Sequence, residues 1–318
     1  MWKSQDITIP EFQREFVWNI RQSSLLMESF LLGLPVPPVF FYIDDENKNL
    51  VIDGQQRILS TVFYFEGYFG LENIHGKRQV FRLQGLDKKS PYYNKKYDEL
   101  SDSDERKLKN TVLRAINIRQ VSPTGDKTSI YHIFERLNTG GTPLKPQEIR
   151  NVVFRGEIVR ILRELNKDPN WRQILGKTTY DKHQKDVELV LRLFALSQKS
   201  DEYENPMKEF LNKAMEQNKK GDTKGILKFE KLFIKTSDLI INMLGPKPFH
   251  VRGPLNTAFL DSVFCTLLNN INKIPDNLSE RFKQLKKDRK INDVTTTSTT
   301  NTQIVRERFR LVKEYLID

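Results

Sequence analysis

The sequence lacks the features of disulfide-rich and membrane-spanning proteins. Its 318 residues contain one cysteine, Cys265, inside an apolar run, which excludes a disulfide framework and a cysteine metal site. No apolar stretch approaches the roughly 20 residues that span a bilayer. The first residues, Met1-Trp2-Lys3, do not have the form of a signal peptide. We therefore expect a cytoplasmic protein without membrane association.

The chain has enough apolar material for a core and an excess of positive charge. Hydrophobic residues make up 38% of it, with 20 phenylalanines, so global disorder is excluded. Lys and Arg number 52 against 41 Asp and Glu, which gives a net charge of +11. This balance favours polyanionic partners and carries no information about the fold.

The hydrophobic periods divide the chain into two parts. The first part mixes helices and strands, and the part beyond about residue 127 is helical. Predicted elements of the first part are helices over 21–32 and 58–64 and strands over 39–43, 50–52 and 112–121. Predicted helices of the second part cover 129–137, 146–154, 186–196, 206–217, 226–244, 255–269 and 302–315. The prediction is an α+β protein with an α/β domain over 1–155 and a helical domain over 156–318.

The segment 51–57, Val-Ile-Asp-Gly-Gln-Gln-Arg, joins a predicted strand to a predicted helix. The first amides of a helix lack internal partners and carry partial positive charge, so this geometry favours an anion. Gly54 removes the Cβ that would block close approach, and Arg57 offers a forked donor to phosphate. The segment is not a Walker loop, because no Gly-Lys-Ser/Thr follows it.

A purely structural interpretation of the same segment stays open. Asp53 and Gln56 have the spacing of a capping box, which only starts a helix. Arg57 lies four residues after Asp53 on the same helix face and could form an ion pair with it.

Four ordered blocks of the sequence resemble the N-terminal domain of GmrSD-type restriction enzymes, whose relatives include the SspE proteins. The blocks are 9–14 with Val17-Trp18, 33–37, 53–57, and 134–144 with the adjoining 147–151. The resemblance covers at least residues 7–155 and fits the helical part less sharply.

The resemblance implies a ParB/sulfiredoxin-like fold for the first domain and a site that binds and hydrolyses a nucleotide. The implied catalytic residues are Asp53, Gln55, Gln56 and Arg57. The implied nucleotide-binding residues are Gln13, Arg14, Gly54, Arg57, Asn138, Thr139 and Gly140. The resemblance implies GTP, ATP or CTP as the cofactor, with Mg²⁺ held by Asp53. In this interpretation Arg14 and Arg57 neutralise phosphates, and Gln55 or Gln56 positions water.

The stretch 138–141 and Glu148 have simpler interpretations as well. Asn138-Thr139-Gly140-Gly141 follows a predicted helix and has the composition of a helix C-terminus and turn. Glu148 is a first-turn carboxylate, which the helix dipole favours.

The sequence departs from many relatives in lacking a His-Asn-His nuclease signature. Its four histidines, at positions 75, 132, 183 and 250, include no close pair. The resemblance implies an NTPase regulatory component of a bacterial restriction or anti-phage system that acts on modified foreign DNA. Because the nuclease signature is missing, we expect it to work either with a separate nuclease subunit or as a homo-oligomer. The alternatives are a DNA-binding module that reads backbone phosphates without catalysis, and a nuclease, although no cleavage is expected from this chain alone.

Overall fold

A computed structural model describes residues 7–8, 16–43, 47–70, 78–119, 128–137, 144–251 and 253–318. The chain forms two compact units. One comprises Met1–Gly125 and Ile133–Leu144, and the other comprises Asp126–His132 and Lys145–Asp318.

The first unit combines short strands with three helices and part of a fourth. Its strands are β1 (Ile7–Thr8), β2 (Val39–Ile43), β3 (Asn49–Asp53), β4 (Tyr68–Phe69), β5 (Gln79–Val80) and β6 (Ala115–Ile118). Its helices are α1 (Ile20–Leu32), α2 (Gln55–Glu66), α3 (Asp102–Lys109) and the second part of α4 (Thr128–Leu137).

The main sheet of this unit is mixed and has the strand order β1-β3-β2-β6. Strands β2 and β3 form the predicted antiparallel hairpin, whereas β1 pairs with β3 and β6 pairs with β2 in parallel. A register shift between Phe40 and Phe41 interrupts the hairpin ladder. The hairpin is the centre of the sheet, and its strand β3 leads directly into α2.

Helices α1 and α2 pack together over the larger core of the first unit. Leu26, Met27 and Phe30 of α1 and Phe63 and Tyr64 of α2 are buried in one cluster. In α1, Phe30 follows Leu26 by four residues and Met27 by three, which puts these three side chains on one face of the helix. Helix α1 ends at Gly33, which has a φ of 74° and closes the last turn, as the sequence predicts.

The second unit is helical. After the first part of α4 it contains α5 (Pro146–Val153), α6 (Glu157–Asn166), α7 (Pro169–Leu175), α8 (Lys185–Lys199), α9 (Met207–Gln217), α10 (Lys224–Leu244), α11 (Thr257–Asn269), α12 (Leu278–Leu285), α13 (Arg289–Thr296) and α14 (Thr302–Leu316). Among the described residues, no helix has both the length and the apolar character needed to cross a membrane.

Helix α11 lies at the centre of the helical core. Residues 258–268 of this helix are all buried, which an amphipathic surface helix would not allow. Trp171 of α7 contacts the rings of Phe233 and Phe264, with centroid distances of 5.4 and 5.9 Å. Cys265 is a buried free thiol of α11, as expected for core packing.

The predicted α+β class is confirmed, and most helices and the hairpin lie where the periodicity predicts them. The strand expected over 112–121 is shorter and covers Ala115–Ile118. Five helices were missing from the prediction: α3, α6, α7, α12 and α13. All five have ten residues or fewer, which leaves little periodic signal in the sequence.

A buried ion pair joins α8 to α11. The guanidinium of Arg192 donates to the carboxylate of Asp261, which is fully buried. Asp261 also lies near Arg308, whose pKa is lowered by its burial and raised in part by this carboxylate. One carboxylate therefore offsets two buried cations.

We predict that Asp261→Asn lowers the free energy of unfolding by about 3–5 kcal/mol, because it leaves Arg192 buried without its counter-charge. Urea unfolding followed by circular dichroism measures this loss. The double variant Arg192→Met with Asp261→Leu should recover part of it, since the charge of Arg192 is removed together with its partner while Arg308 still loses this carboxylate. A double variant as unstable as Asp261→Asn would contradict this account.

Candidate functional site

The segment 53–57 forms a tight connection between strand β3 and helix α2. Strand β3 ends at Asp53, Gly54 is the residue before the helix, and α2 begins at Gln55. Gly54 has a φ of 96° and no side chain caps the helix. The predicted strand–turn–helix arrangement is therefore confirmed.

Gly54 is required by both its backbone conformation and its surroundings. A φ of 96° lies in the region that favours glycine. A Cβ at this position would lie 2.3 Å from Cγ1 and 3.2 Å from Cα of Val39 in the neighbouring strand β2. The bare Cα thus lets the start of α2 lie directly against the sheet.

The side chain of Arg57 ties this connection to both central strands. Its Nη2 donates to Oδ2 of Asp53 over 2.7 Å and to the carbonyl of Pro38 over 3.1 Å. Arg57 has 9% of its surface exposed, so the pair is shielded from solvent. The ion pair that the sequence offered as a structural interpretation is present.

Gln56 connects α2 to the segment before α1. Its Oε1 accepts hydrogen bonds from the backbone N–H of Val17 over 2.9 Å and of Trp18 over 3.0 Å. The capping-box interpretation of Asp53 and Gln56 is wrong, because Gly54 is the capping position and Gln56 bonds to a different segment. Val17 and Trp18, which belong to the first resemblance block, are thereby fixed beside the turn.

Two buried donors at this turn have no hydrogen-bond acceptor among the described residues. They are Nε2 of Gln56 and Nε of Arg57. A buried donor without an acceptor costs about 1–3 kcal/mol, so such groups are rare in a folded protein. Both lie within the first turn of α2, where the helix dipole adds partial positive charge. The turn is therefore suited to a ligand that carries oxygen acceptors and negative charge.

The structure brings together only part of the site that the sequence predicts. Asp53, Gly54, Gln55, Gln56 and Arg57 are adjacent, and Gln55 is also buried. The other predicted nucleotide-binding residues, Gln13, Arg14, Asn138, Thr139 and Gly140, lie outside the described residues.

Asp53 could supply one carboxylate to a divalent cation. Its side chain is about one fifth exposed, and Arg57 engages its Oδ2. In the parts of the chain that the structure describes, no three His, Cys, Asp or Glu side chains are grouped so that they could hold a metal ion. A Mg²⁺ ion bound by one carboxylate and by phosphate oxygens would still fit, since magnesium commonly takes few protein ligands.

A second polar cluster, which no sequence pattern indicated, lies in the helical unit. Arg150 is buried and donates to Gln147, Glu188 and Asn212 over 3.1, 2.7 and 2.9 Å. In the sequence, Arg150 is a charged residue two positions after Glu148 on a predicted helix, which does not indicate that its side chain is buried. The contacts to α8 and α9 span 38 and 62 residues, so no local pattern could indicate them.

Residues 2–155 match the family model described as GmrSD restriction endonuclease, N-terminal domain. The matched range contains the turn at 53–57 and the blocks that carry the resemblance. Comparisons with curated proteins and with solved structures give no match. The ParB/sulfiredoxin-like fold therefore stays a prediction.

We predict that Gly54→Ala destabilises the protein more than Gly67→Ala does. Gly67 has a φ of 80°, and no described atom lies within 4 Å of a Cβ placed there, so alanine costs the left-handed backbone, about 1–2 kcal/mol. Alanine at position 54 adds a collision with Val39, which costs about 1–3 kcal/mol more. Urea unfolding of both variants measures the difference, and equal losses would show that the close contact with β2 is unimportant.

Proposed function

Residues 2–155 belong to the GmrSD restriction endonuclease N-terminal domain family, and from this premise we propose that the chain is the nucleotide-binding, NTP-hydrolysing component of a restriction system. In this role it regulates defence against modified foreign DNA. The observation that carries the proposal is a pair of buried donors at the start of α2, on Gln56 and Arg57, for which the described residues supply no acceptor.

Phosphate oxygens would supply the acceptors that these donors lack. Nε2 of Gln56 and Nε of Arg57 would donate to a phosphate group placed against the first turn of α2. Gly54 lets the start of α2 lie against Val39 of β2, which fixes the position of these donors. A triphosphate fits better than a neutral ligand because the helix dipole stabilises negative charge at this end.

Each side chain of the turn has a distinct role in this proposal. Arg57 binds phosphate while its Nη2 stays on Asp53 and the Pro38 carbonyl, so its orientation is set before the ligand arrives. Gln56 is held through Val17 and Trp18 and presents its amide NH₂ to the ligand. Gln55, beside it, orients the attacking water. These roles make the turn a binding site whose donors are already positioned.

Asp53 is the residue that would hold Mg²⁺ with the triphosphate. Bound there, the ion would neutralise charge that develops on the phosphate oxygens. The carboxylate of Asp53 has its Oδ2 on Arg57, which leaves Oδ1 for the cation. The first-block residues Gln13 and Arg14 and the loop residues Asn138, Thr139 and Gly140 complete the proposed nucleotide site.

The net charge of +11 favours a second candidate function, in which the turn contacts the phosphates of DNA and performs no chemistry. The two functions differ in what they require from solution. A nucleotide site responds to free triphosphate, whereas a DNA-backbone site responds to duplex DNA and weakens steeply with salt.

We predict that GTP, ATP or CTP with Mg²⁺ raises the melting temperature of the protein. A ligand at about 100 times its Kd stabilises by about 2.7 kcal/mol, and each kcal/mol corresponds to about 2–4 °C for a chain of this size class. Arg57→Ala should abolish the shift, because it removes a phosphate donor. A thermal-shift series over the three nucleotides measures both effects.

The matched control is Arg78→Ala. Arg78 also makes one ion pair in the first unit, with Glu66 over 2.9 Å, but it lies outside the turn. This variant should keep the full nucleotide shift. If no nucleotide stabilises the wild type while duplex DNA does, with strong salt dependence, the DNA-binding function is correct and the nucleotide proposal is wrong.

We also expect that the isolated chain leaves plasmid DNA uncut in the presence of Mg²⁺. The described residues contain no cluster of three metal-ligating side chains, and the four histidines are far apart in the sequence. Gel analysis of supercoiled plasmid measures this. Cleavage that persists after removal of contaminating nucleases and is lost in Asp53→Ala would overturn the expectation.

A further inference from the structure

Glu148 is a buried carboxylate, and only one of its two oxygens has a hydrogen-bond partner among the described residues. Its side chain has no exposed surface. One oxygen, Oε2, accepts the backbone N–H of Lys145 over 2.6 Å and so caps helix α5. The other oxygen, Oε1, is buried and has no hydrogen-bond partner among the described residues. A buried carboxylate left in this condition is costly, which points to a role beyond capping.

The imidazole of His183 lies against this carboxylate. Its Nδ1 is 3.5 Å from Oε2 of Glu148, and Nδ1 is buried. A quarter of the side chain is nevertheless exposed. Nδ1 contributes almost nothing to that exposure, so the exposed part of the side chain lies away from Nδ1.

The elements that carry the two side chains are fastened to each other. Asn151 of α5 donates to Oε1 of Gln184, the residue before α8, over 2.6 Å. Arg150 of α5 donates to Glu188 of α8 over 2.7 Å. The N–H of His183 donates to Oδ1 of Asp181 over 2.8 Å, which fixes the turn. The separation of Glu148 from His183 is therefore set by the surrounding structure.

We propose that Glu148 and His183 form a carboxylate–imidazole dyad in which Nε2 of His183 is the base for hydrolysis of a small phosphorylated substrate. At 3.5 Å, Nδ1 of His183 makes no hydrogen bond to Glu148 or to any other described residue, and the dyad requires this contact to shorten when substrate binds, as catalytic contacts commonly do. Lys182 and Lys185 flank His183 at the start of α8 and are exposed. They favour a substrate that carries phosphate. This site lies within the helical unit and does not depend on the function proposed for the turn at 53–57.

The proposed step is hydrolysis by water. Nε2 takes a proton from water, whose oxygen forms the new bond to phosphorus. The phosphorus–oxygen bond to the leaving group breaks, and that oxygen leaves with the electron pair and takes a proton from solvent. Nε2 then releases its proton to solvent, which restores the base. Glu148 stabilises the imidazolium through Nδ1–H while it exists.

The chain contains an internal control for this dyad. Nε2 of His132 lies 3.6 Å from Oε1 of Glu209, but both side chains are more than one third exposed. Solvent screens such a pair strongly. If exposure alone governs reactivity, His132 reacts faster than His183. If the buried carboxylate activates the imidazole, His183 reacts faster although it is less exposed.

The test is acylation of the full chain by diethyl pyrocarbonate at about pH 8, where free imidazoles are neutral, with mass spectrometry at each histidine. We expect His183 to react faster than His132. Glu148→Gln keeps an oxygen to cap Lys145 and should lower the His183 rate by roughly 10-fold or more, the scale on which a lost carboxylate partner affects histidine sites. The rate of His132 should not change.

Inorganic pyrophosphate is the probe for the substrate class. It should slow acylation of His183 in the wild type and protect less in Lys185→Ala, whereas Lys228→Ala, which changes another exposed lysine, should keep full protection. A His183 rate below that of His132, or one that Glu148→Gln leaves unchanged, would overturn the dyad. If pyrophosphate does not protect His183 from acylation, the proposal of a phosphorylated substrate is wrong.

Discussion

The close approach of helix α2 to strand β2 is the constraint on which the first unit depends. Gly54 lies so near Val39 that a methyl group would not fit between them. Arg57 then reaches the carbonyl of Pro38 and the carboxylate of Asp53 from a single nitrogen, Nη2. Strand β2, strand β3 and helix α2 are thus held at one point. The donors of the first helical turn are fixed by the same contacts.

These contacts also bear on the nucleotide site that we propose at the turn. The charge of Arg57 is largely balanced by Asp53, so the site attracts less through net charge than an isolated arginine would. Its specificity instead comes from placed donors, among them Nε2 of Gln56 and Nε of Arg57. A phosphate group satisfies several such donors together, whereas a simple monovalent anion satisfies fewer. We infer that the turn selects by geometry more than by charge.

Local patterns predicted the elements around the site but not its long-range contacts. The hairpin, the helix that ends at Gly33 and the strand–turn–helix arrangement follow from side-chain period and turn residues. The hydrogen bond between Gln56 and Val17 spans 39 residues. The parallel pairings of β1 with β3 and of β6 with β2 are equally non-local. The predicted capping box is wrong for this reason. It depends on local spacing, whereas the side chain of Gln56 bonds to Val17 and Trp18, which are distant in the sequence. The partners of Glu148 and His183 were unpredictable on the same grounds.

Amide hydrogen exchange with and without nucleotide tests the central claim most directly. If a triphosphate lies against the first turn of α2, adding nucleotide with Mg²⁺ should slow exchange in peptides that cover 51–59. Peptides that contain Val17 and Trp18 should also be protected, since Gln56 joins them to the turn. Protection confined to other parts of the chain, or no protection at saturating nucleotide, would contradict the account.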